Sequence, residues 1–386
     1  MEFTFSDEQK LIKDTAREFL ENECPSDLIR EMEDDEKGYC LKFWQKMAEL
    51  GWLGLIFPAE YGGLDGNFID MVVLLEEMGR FLAPVPFIPT VICGGLSILS
   101  SGDEALKSEI LPKVAKGELI LTMAISEPEH DIGAGGINLP ASEQGSQFFL
   151  SGTKIFVPYA HVADYLICPT RTKRTYEKSD GVTLFLVDRA APGLCCTEMK
   201  TLDCSKQYEV VFNQCQVAGA KVIGEVDKGW EITRSVLEGA TVAQCALMVG
   251  GAEKVLEMTI SYAKKRFQFD RPIGSFQAIQ HRCSNMLVDL DGAKLNIYEA
   301  AWKLSQGLDC TFEVSIAKAW VNQAYQRICA NGHQIHGGAG VIQDHDMQLY
   351  SRRAKAAEYY WGDTNLHREI VAQQLELDNP ARAGRI

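Results

Sequence analysis

Several features are missing from this 386-residue chain, and each absence narrows its class. It has no Cys-x-x-Cys pair. Its twelve cysteines are scattered singly apart from adjacent Cys195-Cys196, which predicts reduced, mostly buried thiols in a cytoplasmic protein, not a disulfide or metal framework. No unbroken apolar run approaches the ~18–20 residues that a bilayer-spanning helix needs, and Met1 leads straight into Glu2 and Asp7, so neither membrane insertion nor a secretory signal is expected. Positive charge is in deficit: 38 Lys and Arg face 53 Asp and Glu, a net charge of −15 that argues against a nucleic-acid partner. Local basic residues can still hold phosphates in an acidic protein. There is no internal repeat, low-complexity tract or long linker.

What is present reads as an ordinary globular chain, 46% hydrophobic and 24% charged, long enough for two or three subdomains. Ser6-Asp7-Glu8-Gln9 forms a capping box, followed by an apolar stripe of Leu11, Ile12, Ala16, Phe19 and Leu20. Helical patterning continues over 41–50 and 68–80, with the turn-rich segment Phe57-Pro58-Ala59-Glu60-Tyr61-Gly62-Gly63 between them. From about Leu119 the pattern changes to short apolar or β-branched runs at 148–150, 154–157, 165–168, 182–187 and 209–212, expected as antiparallel strands of a small barrel or sandwich. From Gly229 long helical segments return over 242–264, 279–306 and 312–331, and their packing predicts a four-helix bundle. The fold class expected is therefore α+β and multidomain: an N-terminal helical domain (1–118), a middle β domain (119–220) and a C-terminal helical bundle (221–386).

The motifs narrow the chemistry. Arg266-Phe267-Gln268-Phe269-Asp270-Arg271-Pro272-Ile273-Gly274-Ser275-Phe276-Gln277-Ala278-Ile279-Gln280 and Gln334-Ile335-His336-Gly337-Gly338-Ala339-Gly340 resemble signatures of the acyl-CoA dehydrogenase family. Tyr61-Gly62-Gly63 and Ser126-Glu127-Pro128 fall where that family has its equivalents, so four matches stand in order along the whole chain. The residues suit a dinucleotide: a pyrophosphate favours a forked cation such as Arg266, and Gly337 and Gly338 permit close backbone approach. The resemblance implies FAD as cofactor. It places Arg266, Phe269, Gln277, Gln334, Gly337 and Gly338 against the FAD of a neighbouring subunit, and hence implies a homodimer or homotetramer. It also implies that Ser126 hydrogen-bonds the flavin ring, that Phe156 packs on it, and that an electron-transfer flavoprotein or similar acceptor is a partner.

The reaction that the resemblance implies removes an α-proton from an acyl-CoA thioester while a β-hydride passes to flavin. It requires a carboxylate base whose pKa is tuned by a desolvated pocket. The family's usual base is the Glu of a Tyr-Glu-Gly-Thr motif; here the segment reads Tyr360-Trp361-Gly362-Asp363-Thr364, and Trp361 stands on the base position. The alternative position, on the helix after the β domain, falls at Ala240, two residues from Glu238. A third region, Thr90-Val91-Ile92, holds no carboxylate. Pro158 replaces a Thr or Ser that donates toward flavin N5. Glu129-His130-Asp131-Ile132 replaces a Gly-Ala-Gly-Ser stretch, Thr241 an Arg, and Asp363 a Thr.

Two readings follow. In the first, the chain is an oxidoreductase acting on a CH–CH group of an acyl-CoA, alicyclic (as in cyclohexene carboxyl-CoA) or branched, with Glu238 or Asp363 as a relocated base. In the second, it is a non-catalytic or half-catalytic subunit that completes the FAD site of a paralogue in a heterotetramer. A lyase using FAD structurally, with Cys93 or Cys195-Cys196 as nucleophile, is a third class, against which buried thiols are the commoner state.

Overall fold

A computed structural model describes residues 4–128 and 132–375. Among these residues the helices are α1 (Asp7–Glu23), α2 (Ser26–Asp34), α3 (Leu41–Glu49), α4 (Phe68–Arg80), α5 (Leu96–Leu99), α6 (Glu104–Ala115), α7 (Gly229–Lys265), α8 (Gln277–Ser305), α9 (Thr311–His336), α10 (Gly338–Val341), α11 (Met347–Ala357) and α12 (Thr364–Gln374). The strands are β1 (Leu121–Met123), β2 (Ala141–Gln144), β3 (Gln147–Pro158), β4 (Tyr165–Arg171), β5 (Val182–Asp188), β6 (Leu194–Met199), β7 (Gln207–Ala218), β8 (Val222–Ile223), β9 (Phe267–Gln268) and β10 (Arg271–Pro272). Helices, strands and helices follow in the expected order. By contacts the chain divides into two compact units: residues 1–29, 68–83 and 241–386 form the first, residues 30–67 and 84–240 the second.

The first unit is helical. α1 begins with the expected capping box: the Gln9 N–H donates to Ser6 Oγ at 3.2 Å and the Ser6 N–H to Gln9 Oε1 at 3.1 Å. Ala16 and Leu20 are buried, but Leu11 is 67% exposed and leaves the predicted apolar stripe. α4 and α7 touch backbone to backbone. A Cβ on Gly79 would stand 2.0 Å from the Leu247 carbonyl oxygen, and one on Gly250 1.8 Å from that of Glu76, so only glycine permits the crossing. Charge lies beside this contact: Arg17 is bidentate to Glu77 (Nε–Oε2 3.0 Å, Nη2–Oε1 2.7 Å), Lys294 pairs with Glu253 at 2.9 Å, and Arg80 pairs with Glu257. α7, α8 and α9 exceed the lengths expected from the sequence, and with α12 they make the helical bundle. Among the described residues one helix, Gly229–Lys265, passes a length-and-composition test for crossing a membrane, but 78% of its apolar window is buried within the chain, as in a core helix.

The second unit holds two four-stranded sheets, in orders β1-β4-β5-β8 and β2-β3-β7-β6. Phe148, Leu150, Val210 and Phe212 of one sheet meet Leu166, Cys168, Phe185 and Val187 of the other in a common core, with the Phe148 and Phe185 rings 4.9 Å apart. Each such ring contributes about 2–3 kcal/mol by burial. β5 is buried along nearly its whole length, which is why 182–187 reads as a continuous apolar run. The strands are not all antiparallel: β1 pairs parallel with β4, Leu121 opposite Tyr165, across the long connection that contains β2 and β3. All twelve cysteines are free; seven are buried, whereas Cys195 and Cys204 are exposed.

Candidate flavin and acyl-CoA site

In the β unit, Ser126 and Phe156 are brought together. The Ile155 N–H donates to the Ser126 carbonyl at 2.9 Å, joining the segment after β1 to β3. Beneath that link lies a buried ion pair that the sequence reading did not single out. Lys154 Nζ, fully buried, donates to Glu127 Oε1 at 2.7 Å and to the Ile125 carbonyl at 3.2 Å. Glu127 also accepts from the N–H groups of Asn138 and Leu139, both at 3.0 Å. A carboxylate so fully hydrogen-bonded can be buried at little net cost, and it fixes the Ser126 segment. A lysine at the centre of an apolar strand run was the available signal.

Between Lys154 and Val157, β3 slips by one residue against β7, a β-bulge. Phe156 takes up the slack with a φ of 52° and is 51% exposed. A positive φ on a bulky aromatic costs of order 1 kcal/mol, and a half-exposed ring recovers little of it within the chain. The arrangement suits a ring stacked on Phe156 from outside. Pro158 ends β3, and its carbonyl accepts from Thr122 Oγ1 at 2.5 Å, which holds the segment although Pro158 itself carries no side-chain donor. Glu238, also in this unit, accepts from Arg234 Nη1 at 2.9 Å one turn away on α7. Thr90-Val91-Ile92 lies in a buried π-helical segment, Ile88–Gly95, with Thr90 Oγ1 donating to the Leu121 carbonyl at 3.0 Å. The same segment carries Cys93, whose thiol burial pushes well up, away from the thiolate form a nucleophile needs. Glu129, His130 and Asp131 lie outside the described residues.

In the helical unit, the connection between α7 and α8 and the C-terminal end of α9 are joined by Tyr262 stacked on His336, ring centroids 4.5 Å apart. This brings Arg266, Phe269 and Gln277 into one region with Gln334, Gly337 and Gly338. All six are exposed, Phe269 by 84%. Among the described residues, the side chains of Arg266, Gln277 and Gln334 have no partner. Gly337 terminates α9 at φ 59°, ψ −139°, a conformation that favours glycine, and a Cβ on Gly337 or Gly338 would meet open space. A forked cation, uncommitted amides and bare glycine backbone are the donor set that a dinucleotide pyrophosphate requires, and they face outward.

The turn between α11 and α12 is organised otherwise. Trp361 has a φ of 61°, and Gly362, at φ 106°, has no room for a Cβ, which would lie 2.7 Å from Leu366 Cδ2. Buried Lys318 of α9 donates to the carbonyls of Ala357 at 2.6 Å and Glu358 at 3.5 Å and to Asn322 Oδ1 at 2.9 Å. Burial lowers its pKa to about 8. His367 Nε2 lies 3.0 Å from the Trp361 carbonyl, and burial brings His367 down to about 4, so the neutral ring donates there. Asp363 accepts the Leu366 N–H at 2.8 Å as the cap of α12. Trp361 Nε1 and Thr364 Oγ1 are buried with no hydrogen-bond partner among the described residues. Lys318 and His367 escaped the sequence reading, since a buried lysine and a distant histidine show no local pattern.

Three domain profiles of one family match the chain in order: acyl-CoA dehydrogenase N-terminal domain over residues 6–118, middle domain over 122–215 and C-terminal domain over 227–376. The chain belongs to the acyl-CoA dehydrogenase family. It is accordingly an FAD-dependent oxidoreductase acting on a CH–CH group of an acyl-CoA. Among relatives, it is 28% identical over 378 residues to the caffeyl-CoA reductase-Etf complex subunit CarC of Acetobacterium woodii, covering 96% of this chain and 99% of that one. It resembles the structure of butyryl-CoA dehydrogenase from Megasphaera elsdenii (TM-score 0.90, 26% identity, 97% of this chain and 100% of that one). It also resembles a chain of the ChsE4-ChsE5 complex from Mycobacterium tuberculosis (TM-score 0.89, 27% identity, 97% and 99%).

Proposed function

We propose that this acyl-CoA dehydrogenase family member oxidises a bulky acyl-CoA, alicyclic or branched, in a pocket walled by Trp361, with a base other than the usual glutamate. One observation carries the reading: the buried Nε1–H of Trp361, the residue that the resemblance sets on the base position, has no acceptor among the described residues. A buried donor left unpaired costs about 1–3 kcal/mol, which a ligand carbonyl seated there would recover. The flat indole also presents an apolar wall suited to a ring or branched acyl group.

In this reading Ser126 and Phe156 hold the flavin ring, and Arg266, Phe269, Gln277, Gln334, Gly337 and Gly338 hold the FAD of a neighbouring copy. The chemistry that bound FAD supplies is acceptance of a hydride from the acyl β-carbon. Glu238 and Asp363 are the candidate bases that take the α-proton. Each is already engaged, Glu238 with Arg234 and Asp363 with the α12 N-terminus, but a carboxylate has lone pairs to spare. Resemblance to a subunit of a reductase–Etf complex supports an electron-transfer flavoprotein as redox partner.

The engagement of both acids also favours a second reading, that of a half-catalytic subunit completing a paralogue's FAD site; resemblance to one chain of a two-component complex supports it. The chain expressed alone decides between them. Near-stoichiometric FAD that bleaches with one of a panel of saturated, branched and alicyclic acyl-CoAs supports the first reading. Flavin-poor protein that bleaches with none sinks it.

A further inference from the structure

We infer that the acyl group received at the turn between α11 and α12 carries a hydroxyl on its ring or branch, an inference that rests on the acyl-CoA reading of that turn. Two side-chain polar atoms of the turn are buried and unspent. Trp361 Nε1 and Thr364 Oγ1 have no hydrogen-bond partner among the described residues, and Thr364 is only 6% exposed. A purely hydrocarbon acyl group would cover both atoms and satisfy neither. Their polar neighbours offer no remedy, because the Trp361 carbonyl is taken by His367 and the Asp363 carboxylate by the Leu366 N–H.

This turn is firmly held. Trp361 at φ 61° and Gly362 at φ 106° follow one another in backbone conformations that an aromatic residue seldom adopts unless its surroundings enforce them. His367 does so. Its neutral ring donates from Nε2 to the Trp361 carbonyl at 3.0 Å and accepts at Nδ1 from Ser315 Oγ at 3.3 Å. A Cβ on Gly362 would stand 2.9 Å from His367 Nε2, so the ring packs directly on the turn. Lys318 secures the residues just before it through the carbonyls of Ala357 and Glu358. All of these groups belong to one compact unit. The backbone of the turn is thus fixed from two sides, while the side chains of Trp361 and Thr364 keep their hydrogen-bonding capacity.

The two atoms select the ligand group by their chemistry. An indole N–H only donates, whereas a threonine hydroxyl both donates and accepts. A ligand carbonyl can accept from Trp361 but has no hydrogen for Thr364. A ligand hydroxyl accepts from the indole N–H through its oxygen while its own hydrogen goes to Thr364 Oγ1, so each capacity is used. A second carboxylate on the acyl group would meet the charges of Asp363 and Glu358, both of which act on Lys318. The Lys318 ammonium, which could offset them, is committed to Ala357, Glu358 and Asn322. A neutral hydroxyl meets no such opposition.

The test titrates the flavin-loaded protein by calorimetry with cyclohexanecarboxyl-CoA and isovaleryl-CoA, with their hydroxylated and oxo counterparts, and with a ring dicarboxylate bearing one thioester. In at least one of the two skeletons a hydroxylated isomer should bind about thirtyfold or more tighter than its parent. The oxo compound should lie between them, and the dicarboxylate should do no better than the parent. Thr364→Val should cut the preference about tenfold without lowering the melting temperature, since it removes a hydroxyl that bonds to nothing in the free chain. Trp361→Phe keeps a ring and loses the N–H, and should cut the preference by a similar factor. The double variant should lose little more than either alone, because both atoms address one oxygen. The inference is overturned if no hydroxylated compound gains over its parent, or if the oxo compound or the dicarboxylate binds best. A preference that survives Thr364→Val overturns it too, and a lowered melting temperature beside it assigns Thr364 to the fold. Parents that bind with no hydroxyl preference overturn this inference alone. A chain that binds neither the parents nor free coenzyme A overturns the acyl-CoA reading as well, which separates the two failures.

Discussion

The connection between α7 and α8 and the turn between α11 and α12 belong to the same compact unit, yet they commit their polar groups in opposite ways. On the connection, with the adjoining end of α9, the side chains of Arg266, Gln277 and Gln334 bond to nothing among the described residues and Phe269 is almost fully exposed. On the turn, Asp363, His367 and the carbonyls of Ala357, Glu358 and Trp361 are engaged within the chain. Among the buried side-chain atoms of the described residues there, Trp361 Nε1 and Thr364 Oγ1 are left over. Side chains that serve no internal purpose are explained by a ligand; those that hold a turn together are explained by the fold. The contrast supports the proposed cofactor role of the exposed connection, whereas Asp363 has a structural duty that any catalytic one must be added to.

The comparison breaks most sharply if Asp363 proves catalytic. Asp363→Asn keeps the helix cap, because Asn caps as well as Asp, and so removes only the base. Glu238→Gln loses an ion pair on a partly exposed helix face, worth at most about 1 kcal/mol. In a chain that bleaches with an acyl-CoA, whichever residue is the base should lose about a thousandfold in the rate of flavin reduction, read by stopped flow. Rates held within a few-fold in both variants eliminate both assignments. Next in size is Arg266→Gln. Losing a forked donor to a phosphate should weaken FAD by about 2–3 kcal/mol, near a hundredfold, measured as flavin released on dilution. Unchanged flavin retention would show that the exposed connection is not a cofactor arm.

Lys318→Met tests the structural side. It leaves the buried carbonyls of Ala357 and Glu358 without their donor, with an expected loss of about 2 kcal/mol in denaturant unfolding and a raised KM for acyl-CoA as the Trp361 turn loosens. The pH dependence carries a sign. The folded pKa of Lys318 is lowered to about 8 from 10.5, so between these values the unfolded chain binds the extra proton. Wild-type stability relative to the variant should rise with pH across that window. A difference that stays flat from pH 7 to 10 removes the buried amine from the account.

Much of this was legible in local pattern, and the rest lay in pairings that no local pattern records. The capping box at Ser6 and Gln9 spans three residues, and both of its hydrogen bonds form. The apolar run of β5 is buried as its composition predicts. Leu11 fails because helical period alone does not tell which neighbour arrives to cover a stripe. Lys154 and Lys318 sit in apolar surroundings for which their sequence neighbours give no reason; the partners that justify them, Glu127 and the carbonyl of Ala357, are 27 and 39 residues away. Phe156 was read as an aromatic that packs on flavin, but its bulge and positive φ depend on register against β7. At the candidate site the motif residues could be named in advance. Which of them the chain had already engaged internally could not.

The smallest effect concerns the charges beside the α4–α7 crossing. Glu76 is fully buried, and desolvation raises its pKa to about 7 from 4.5, against the opposing pull of Lys294 and Lys13 and with Glu253 adding to the rise. Tyr298, Glu77, Arg17, Arg80 and Glu257 are further ionisable groups at this crossing. The folded chain binds the proton more tightly than the unfolded one, so the contribution of Glu76 is fully present below pH 4.5 and is lost as pH rises through 7. The whole shift corresponds to about 3 kcal/mol, but a neutral replacement also gives up the attraction of Lys294, so the net gain is smaller. Glu76→Gln should therefore melt at or below wild type at pH 5 and be more stable at pH 8, by of order 1 kcal/mol. A variant that is less stable at both pH values would show that Glu76 stays ionised and that Lys294 and Lys13 outweigh its burial. The charges of this crossing would then be as fully committed inside the fold as those of the Trp361 turn, and the exposed connection would stand alone in keeping its polar groups for a ligand.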